Sequence, residues 1–157
     1  MILNRILVAI DFSADSEPAL DAALDLARRN DGRVTLLHVC QPPPYSTPNY
    51  GMFVPSPDEL ADVLIGARQA LVEYKKRCAA KGATVDTALV TGPPAEEIVR
   101  YATVHDFDLV VVGSHGRRGF RRFVLGSVAE AVVRTADRPV LTVHRQQPSE
   151  ATAGGSR

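Results

Sequence analysis

Along this chain the apolar positions switch repeatedly between short unbroken runs and a three-to-four-residue spacing. Five runs stand out, at residues 6–10 (ending at Asp11), 34–39, 85–90, 109–112 and 139–143. The third is weaker and more alternating than the others. Near-continuous β-branched runs suit a parallel sheet covered on both faces. Between them lie helical patterns. Leu20, Ala23, Leu24 and Ala27 share one helix face, with Ser13 or Ser16 as expected N-cap and Gly32 just past the end. Leu60, Leu64, Ala67, Leu71, Tyr74 and Cys78 form a longer stripe closed by Gly82. Pro94 followed by Ala95-Glu96-Glu97-Ile98 reads as the acidic first turn of a third helix. Val128, Val132 and Thr135 mark a fourth, ended before Pro139. Strict alternation of strand and helix predicts an α/β fold with right-handed crossovers. The expected form is an open, doubly wound, Rossmann-like parallel sheet of five strands in the order 3-2-1-4-5, with helices on both faces.

Two segments stand outside this frame. Residues 41–56 hold Pro42, Pro43, Pro44, Pro48 and Pro55 together with Tyr45, Tyr50 and Phe53. Such a stretch is neither helix nor central strand. A lid at a ligand mouth and a plain connector are both open readings. Residues 146–157 make a polar tail with Gly154-Gly155-Ser156, expected to be disordered, which leaves one domain over residues 1–145.

Composition narrows the class. The 157 residues are enough for one domain with a real core, and 45% hydrophobic with 23% charged residues is ordinary for a globular chain. Formal net charge is zero, so no global field favours nucleic acid or a membrane surface. Arg117, Arg118, Arg121 and Arg122 are a local exception, readable as phosphate contacts or as a solvated loop. They form one loop rather than a broad basic face, which argues against nucleic acid. Cys40 and Cys78 form neither a disulfide framework nor a metal-ligand pattern and read as buried free thiols. The N-terminus lacks a charged region followed by a long apolar one, and no run approaches a membrane span; a cytoplasmic protein is expected.

Chemistry concentrates after the fourth run. Gly113-Ser114-His115-Gly116 follows it directly, and nine residues later comes Gly126-Ser127 at the start of the fourth helix. Glycines let a backbone turn and approach a ligand closely. The free N–H groups of a helix N-terminus then face an anion. In an open parallel sheet, ligands bind beyond the strand ends where connection direction reverses, here between the first and fourth strands. Asp11 ends the first and Gly113 the fourth, so two separate pieces of sequence converge on one crevice. Asp11 suits ribose hydroxyls, or a Mg²⁺ ion bridging phosphates, or a plain helix N-cap. Val39 offers backbone groups and apolar surface to a base. No catalytic constellation accompanies the loop. The lysine of a Gly-x-x-x-x-Gly-Lys-Ser/Thr loop is missing, and His115 has no Ser/Asp partner pattern. His38, His105 and His144 lie on separate elements, lack metal-ligand spacing and take no role.

These residues together resemble the universal stress protein family over about residues 3–144. The resemblance is carried by Ile6-Leu7-Val8-Ala9-Ile10-Asp11-Phe12-Ser13, Leu36-Leu37-His38-Val39, Gly92-Pro93-Pro94-Ala95-Glu96-Glu97-Ile98, the run 109–116 and Arg138-Pro139-Val140-Leu141-Thr142-Val143. Gly113, Gly116, Gly126 and Ser127 match the spacing of the family's ATP-binding class without a gap. The resemblance implies a nucleotide-dependent regulatory or stress-response module whose cofactor is ATP, with or without Mg²⁺, or alternatively ADP or AMP. A weak ATPase or phosphotransferase and a nucleotide-free dimeric interaction protein are the alternative readings. The resemblance also implies that Asp11 contacts ribose, that Ala9 and Val39 line an adenine pocket, and that Ser127 and Val128 meet phosphates. Val112, Gly113, His115, Gly116 and Gly126 complete the expected nucleotide site. Metal enters only indirectly, through Asp11. Two departures are Ala129, where ATP-binding relatives can carry a hydroxyl, and Ala9, where proline is common. Members usually form homodimers through the last strand, here 139–144, and an apolar edge strand agrees with that expectation.

Overall fold

A computed structural model of the chain describes residues 3–41, 45–47, 51–53, 56–114 and 125–145. The expected order appears in full. Strands β1 (Arg5–Ala9), β2 (Arg33–Cys40), β5 (Val85–Thr91), β6 (Leu109–Gly113) and β7 (Val140–Val143) form one parallel sheet in the order β5-β2-β1-β6-β7. Two further strands, β3 (Tyr45–Thr47) and β4 (Gly51–Phe53), pair as an antiparallel hairpin inside the proline-rich segment. That segment therefore avoids the central sheet, as its prolines require, yet carries short ladders where prolines are missing. Pro42, Pro43, Pro44, Pro48, Tyr50 and Pro55, and the tail 146–157, lie outside the described residues.

Helices α1 (Ser16–Asn30), α2 (Pro57–Ala80), α3 (Pro94–Val104) and α4 (Ser127–Thr135) cover the sheet. Alternation along each strand sorts side chains between two cores. Ile6, Val8, Val34, Leu36 and Val111 meet α1 and α2 on what we call the back face. Leu7, Leu37, Val110 and Val112 meet Ile98, Ala102, Ala129 and Val132 of α3 and α4 on the front face. Leu20, Ala23, Leu24 and Ala27 are all buried, as their spacing predicts. Cys40 and Cys78 are both buried. Burial pushes the Cys78 thiol up, so it packs rather than reacts.

Helix boundaries bring the corrections. The N-cap of α1 is Asp15, without a side-chain cap bond, rather than Ser13 or Ser16. Both serine hydroxyls instead turn towards Asp11 and donate to its Oδ1, each at 2.6 Å. The end of α1 is set by Asp31, which takes the left-handed conformation at φ 53°. Gly32 is needed for space instead: a Cβ there would lie 2.3 Å from the Leu3 carbonyl oxygen. Ser56 caps α2 in a reciprocal box with Glu59, which holds the Glu59 carboxyl below its usual range. In α4 the buried pair is Ala129 and Val132; Val128 is 38% exposed, and the exposed Thr135 bonds back to the Ala131 carbonyl. The expected stripe through Val128 and Thr135 is thus displaced by one position at its start, because Ala129 is small enough to lie against the sheet.

Candidate functional site

Connections run one way from β1 to β2 and β5, then return across the sheet to β6 and β7, so the strand order reverses between β1 and β6. These two strands are direct neighbours, with Ala9 opposite Val112, and their carboxyl ends open the crevice that such reversals create. On the front face, Ala9 and Val39 are half-buried against the second core, and Val90, Ala95 and Leu125 share that position. Together these half-buried apolar side chains make a wall at the strand ends.

The far side of the crevice is built from backbone. Gly113 ends β6 opposite Val143. Ser114, 1% exposed, donates its N–H to the Val143 carbonyl at 2.9 Å and accepts the Gly126 N–H at 2.6 Å. The glycines at 113 and 126, distant in sequence, are thereby drawn to one point at the mouth of α4. Gly126 is the N-cap without a side-chain cap bond, and the first intrahelical bond runs from Glu130 N–H to its carbonyl at 2.8 Å. Helix geometry gives the N–H groups of Ser127, Val128 and Ala129 no intrahelical acceptor, and the helix dipole favours an anion there. Ala129 itself is 4% exposed and faces the core, so the hydroxyl missing at this position would have sat at the buried edge of the site. His115, Gly116 and the arginines 117, 118, 121 and 122 lie outside the described residues.

Asp11 is held from several directions. Its Oδ1 accepts the Ser13 N–H at 3.0 Å and both serine hydroxyls, while its own N–H donates to Ser16 Oγ at 3.1 Å. The N-cap alternative is set aside, since Asp15 caps α1. Phe12, the next residue, takes φ 62°, a conformation that costs a bulky L-residue about 1–2 kcal/mol. Its ring lies 4.2 Å from His38 and 5.6 Å from Tyr74, centroid to centroid. His38 Nδ1 is 2.8 Å from the Ile10 carbonyl oxygen. Behind them Tyr74 donates to Glu17 Oε1 at 2.9 Å, and Arg77 pairs with Glu17 Oε2 at 2.7 Å while lying over the Tyr74 ring. Burial, reinforced by the Glu17 carboxylate, pushes the Tyr74 hydroxyl up to about 12. This aromatic group escaped sequence reasoning. Strand parity was the available signal: His38 and Val39 must point to opposite faces, so one cannot share the other's role.

Among the described residues no cluster of three or more His, Cys, Asp or Glu could hold a metal ion. No described helix is long and apolar enough to cross a membrane.

A five-stranded parallel sheet whose strand order reverses between β1 and β6, with helices on both faces, defines an open doubly wound α/β protein. The universal stress protein family model matches residues 3–144, and the chain belongs to that family. A universal stress protein of Bacillus subtilis, YxiE, is 34% identical, the match covering 90% of this chain and 99% of the relative. The solved structure of UspA from Lactobacillus plantarum superposes with a TM-score of 0.76 at 28% identity, covering 91% of this chain and 99% of that one. Two other similar structures carry nucleotides. A universal stress protein in complex with cAMP has TM-score 0.66 and 26% identity, over 92% of this chain and 98% of its own. The Archaeoglobus fulgidus protein in complex with dAMP has TM-score 0.63 and 25% identity, over 90% and 98%.

Proposed function

We propose that this protein is an adenine-nucleotide-binding regulatory module of the ATP-binding class, in which occupancy of the crevice biases one conformation. The observation that carries it is the Gly126–Ser114 bond, which brings the mouth of α4 to the end of β6 beside the β1–β6 reversal. Ala9, Val39 and Val112 would receive the adenine. Asp11, fixed by its two serines, would accept from ribose. Gly113 and Gly126 would admit the phosphate chain, and Ser127 and Val128 would meet it with N–H groups and a hydroxyl, each charged hydrogen bond contributing about 1.5–3 kcal/mol. His115 and Gly116 belong to the same reading by their spacing in the sequence. These residues fit an ATP molecule: donors stand at the phosphate end and apolar surface at the base end. A bound triphosphate would supply charge that ties α4 to β1, with Mg²⁺ entering through the phosphates rather than through a protein cage. The cAMP and dAMP complexes of relatives support adenine as the shared element. Binding linkage then couples nucleotide level to the population of the bound form. The half-buried edge strand β7 supports a second element of the reading, a two-fold homodimer through Val140–Val143.

Isothermal titration with ATP, ADP and AMP tests the site. Ser127→Asp keeps a good helix start but sets a carboxylate where phosphate would lie. It is expected to weaken ATP about 30-fold or more through like-charge repulsion, while adenosine keeps its affinity. Wild-type protein that takes up no adenine nucleotide at millimolar concentration would overturn the reading.

A further inference from the structure

His38 stands on β2 beside Val39 but on the other side of the sheet, so the nucleotide wall makes no use of it. Its imidazole nonetheless reaches both neighbours of Asp11. Nδ1 lies 2.8 Å from the Ile10 carbonyl oxygen; a carbonyl only accepts, so Nδ1 carries the proton. The Ile10 N–H donates to Leu37 at 2.9 Å, which pins residue 10 to β2 through both of its backbone groups. The same ring lies 4.2 Å from Phe12, the residue held at φ 62°. We propose that His38 is a positioning residue for the Asp11 wall of the crevice, one side chain gripping the chain immediately before and immediately after that carboxylate. Left-handed backbone at an aromatic residue persists only when its surroundings over-determine it. Without the His38 ring and its hydrogen bond, Phe12 relaxes to negative φ. The Asp11–Phe12 peptide then turns, and the carboxylate leaves the place its serines give it. Ser13 and Ser16 set Asp11 relative to α1, and His38 sets it relative to the sheet.

The functional consequence rests on the nucleotide reading, in which Asp11 accepts from ribose; the geometric one does not. Two measurements keep them apart. The first is amide hydrogen exchange of Ser13, whose N–H donates to Asp11 Oδ1, normalised to the buried Leu7 amide. His38→Leu is expected to accelerate it about tenfold or more, as expected for local opening. The second is the ratio of affinities for ATP and 2′,3′-dideoxy-ATP, which lacks both ribose hydroxyls. In His38→Leu that ratio should fall about tenfold towards unity, whereas general loosening of the fold would weaken both ligands in parallel. His38→Asn, which keeps a donor near the Nδ1 position, should recover part of both effects and carries the test should the leucine variant fold poorly. A discriminating wild type with an unchanged ratio and unchanged Ser13 exchange in the variants overturns the proposal. A wild type that does not distinguish the two ligands overturns the ribose role of Asp11 instead, and the Ser13 exchange alone then decides whether His38 holds the loop.

Discussion

At their carboxyl ends, the same strands are finished in opposite ways on the two faces of the sheet. On the back, Phe12, His38 and Tyr74 stack in contact and close the corner against α2. On the front, the residues at corresponding height are Ala9, Val39 and Ala95, half-buried and small. The contrast lies in the side chains: aromatic rings on one face, small aliphatic groups on the other. Polar groups divide the same way. The back corner satisfies its tyrosine hydroxyl and carboxylate internally, through Glu17 and Arg77. On the front, the first N–H groups of α4 have no acceptor within the helix.

Substitutions that add or remove volume on each face can break this contrast. Leu71→Ala, at a 4% exposed position of α2, should cost about 2–5 kcal/mol in chemical denaturation and leave ATP affinity near wild type. A matching loss of affinity would mean that the back face is part of the site. Val39→Trp does the reverse, filling the front. It should weaken ATP about 100-fold, near 2.7 kcal/mol in binding, with a stability change under about 1 kcal/mol. A collapsed melting midpoint in that variant would show the front corner to be packed after all. The smallest effect belongs to Tyr74→Phe, which removes the bond to Glu17 at a cost of about 1 kcal/mol. It carries a pH signature. The Tyr74 hydroxyl is raised from 10.0 to about 12 in the folded state, so folding favours its protonated form. That contribution is complete below pH 10 and is lost as pH climbs towards 12. Denaturation titrations across this window should show a steeper fall in wild type than in Tyr74→Phe.

The strand order and both cores were legible in the sequence because apolar runs and helical spacing report burial directly. The strand-order reversal between β1 and β6 was legible for a related reason: Asp11 and Gly113 at the strand ends are local signals that topology merely gathers. Features built from competition between neighbours were not. Nothing in the residue order shows that the Ser13 and Ser16 hydroxyls donate to Asp11 Oδ1, or that the N-cap falls on Asp15. The hairpin of β3 and β4 was hidden by prolines on both sides of it. His38 was passed over since a histidine is first searched for metal or catalytic partners, whereas its contacts here are a carbonyl and a ring.

The placement of β1 also governs how the chain can be made. Ile6 lies opposite Val34 on one side, available early, and opposite Leu109 on the other. The Asp108 carboxylate that receives the Asn4 and Arg5 N–H groups is 104 and 103 positions away from them. During synthesis from the N-terminus, β1 and β2 can therefore pair while the opposite edge of β1 stays bare until β6 leaves the ribosome. Such long-range parallel pairing is slow, and a half-made chain with an open apolar edge is the form most prone to stick to its copies. The central strand is the first to be translated and among the last to be enclosed.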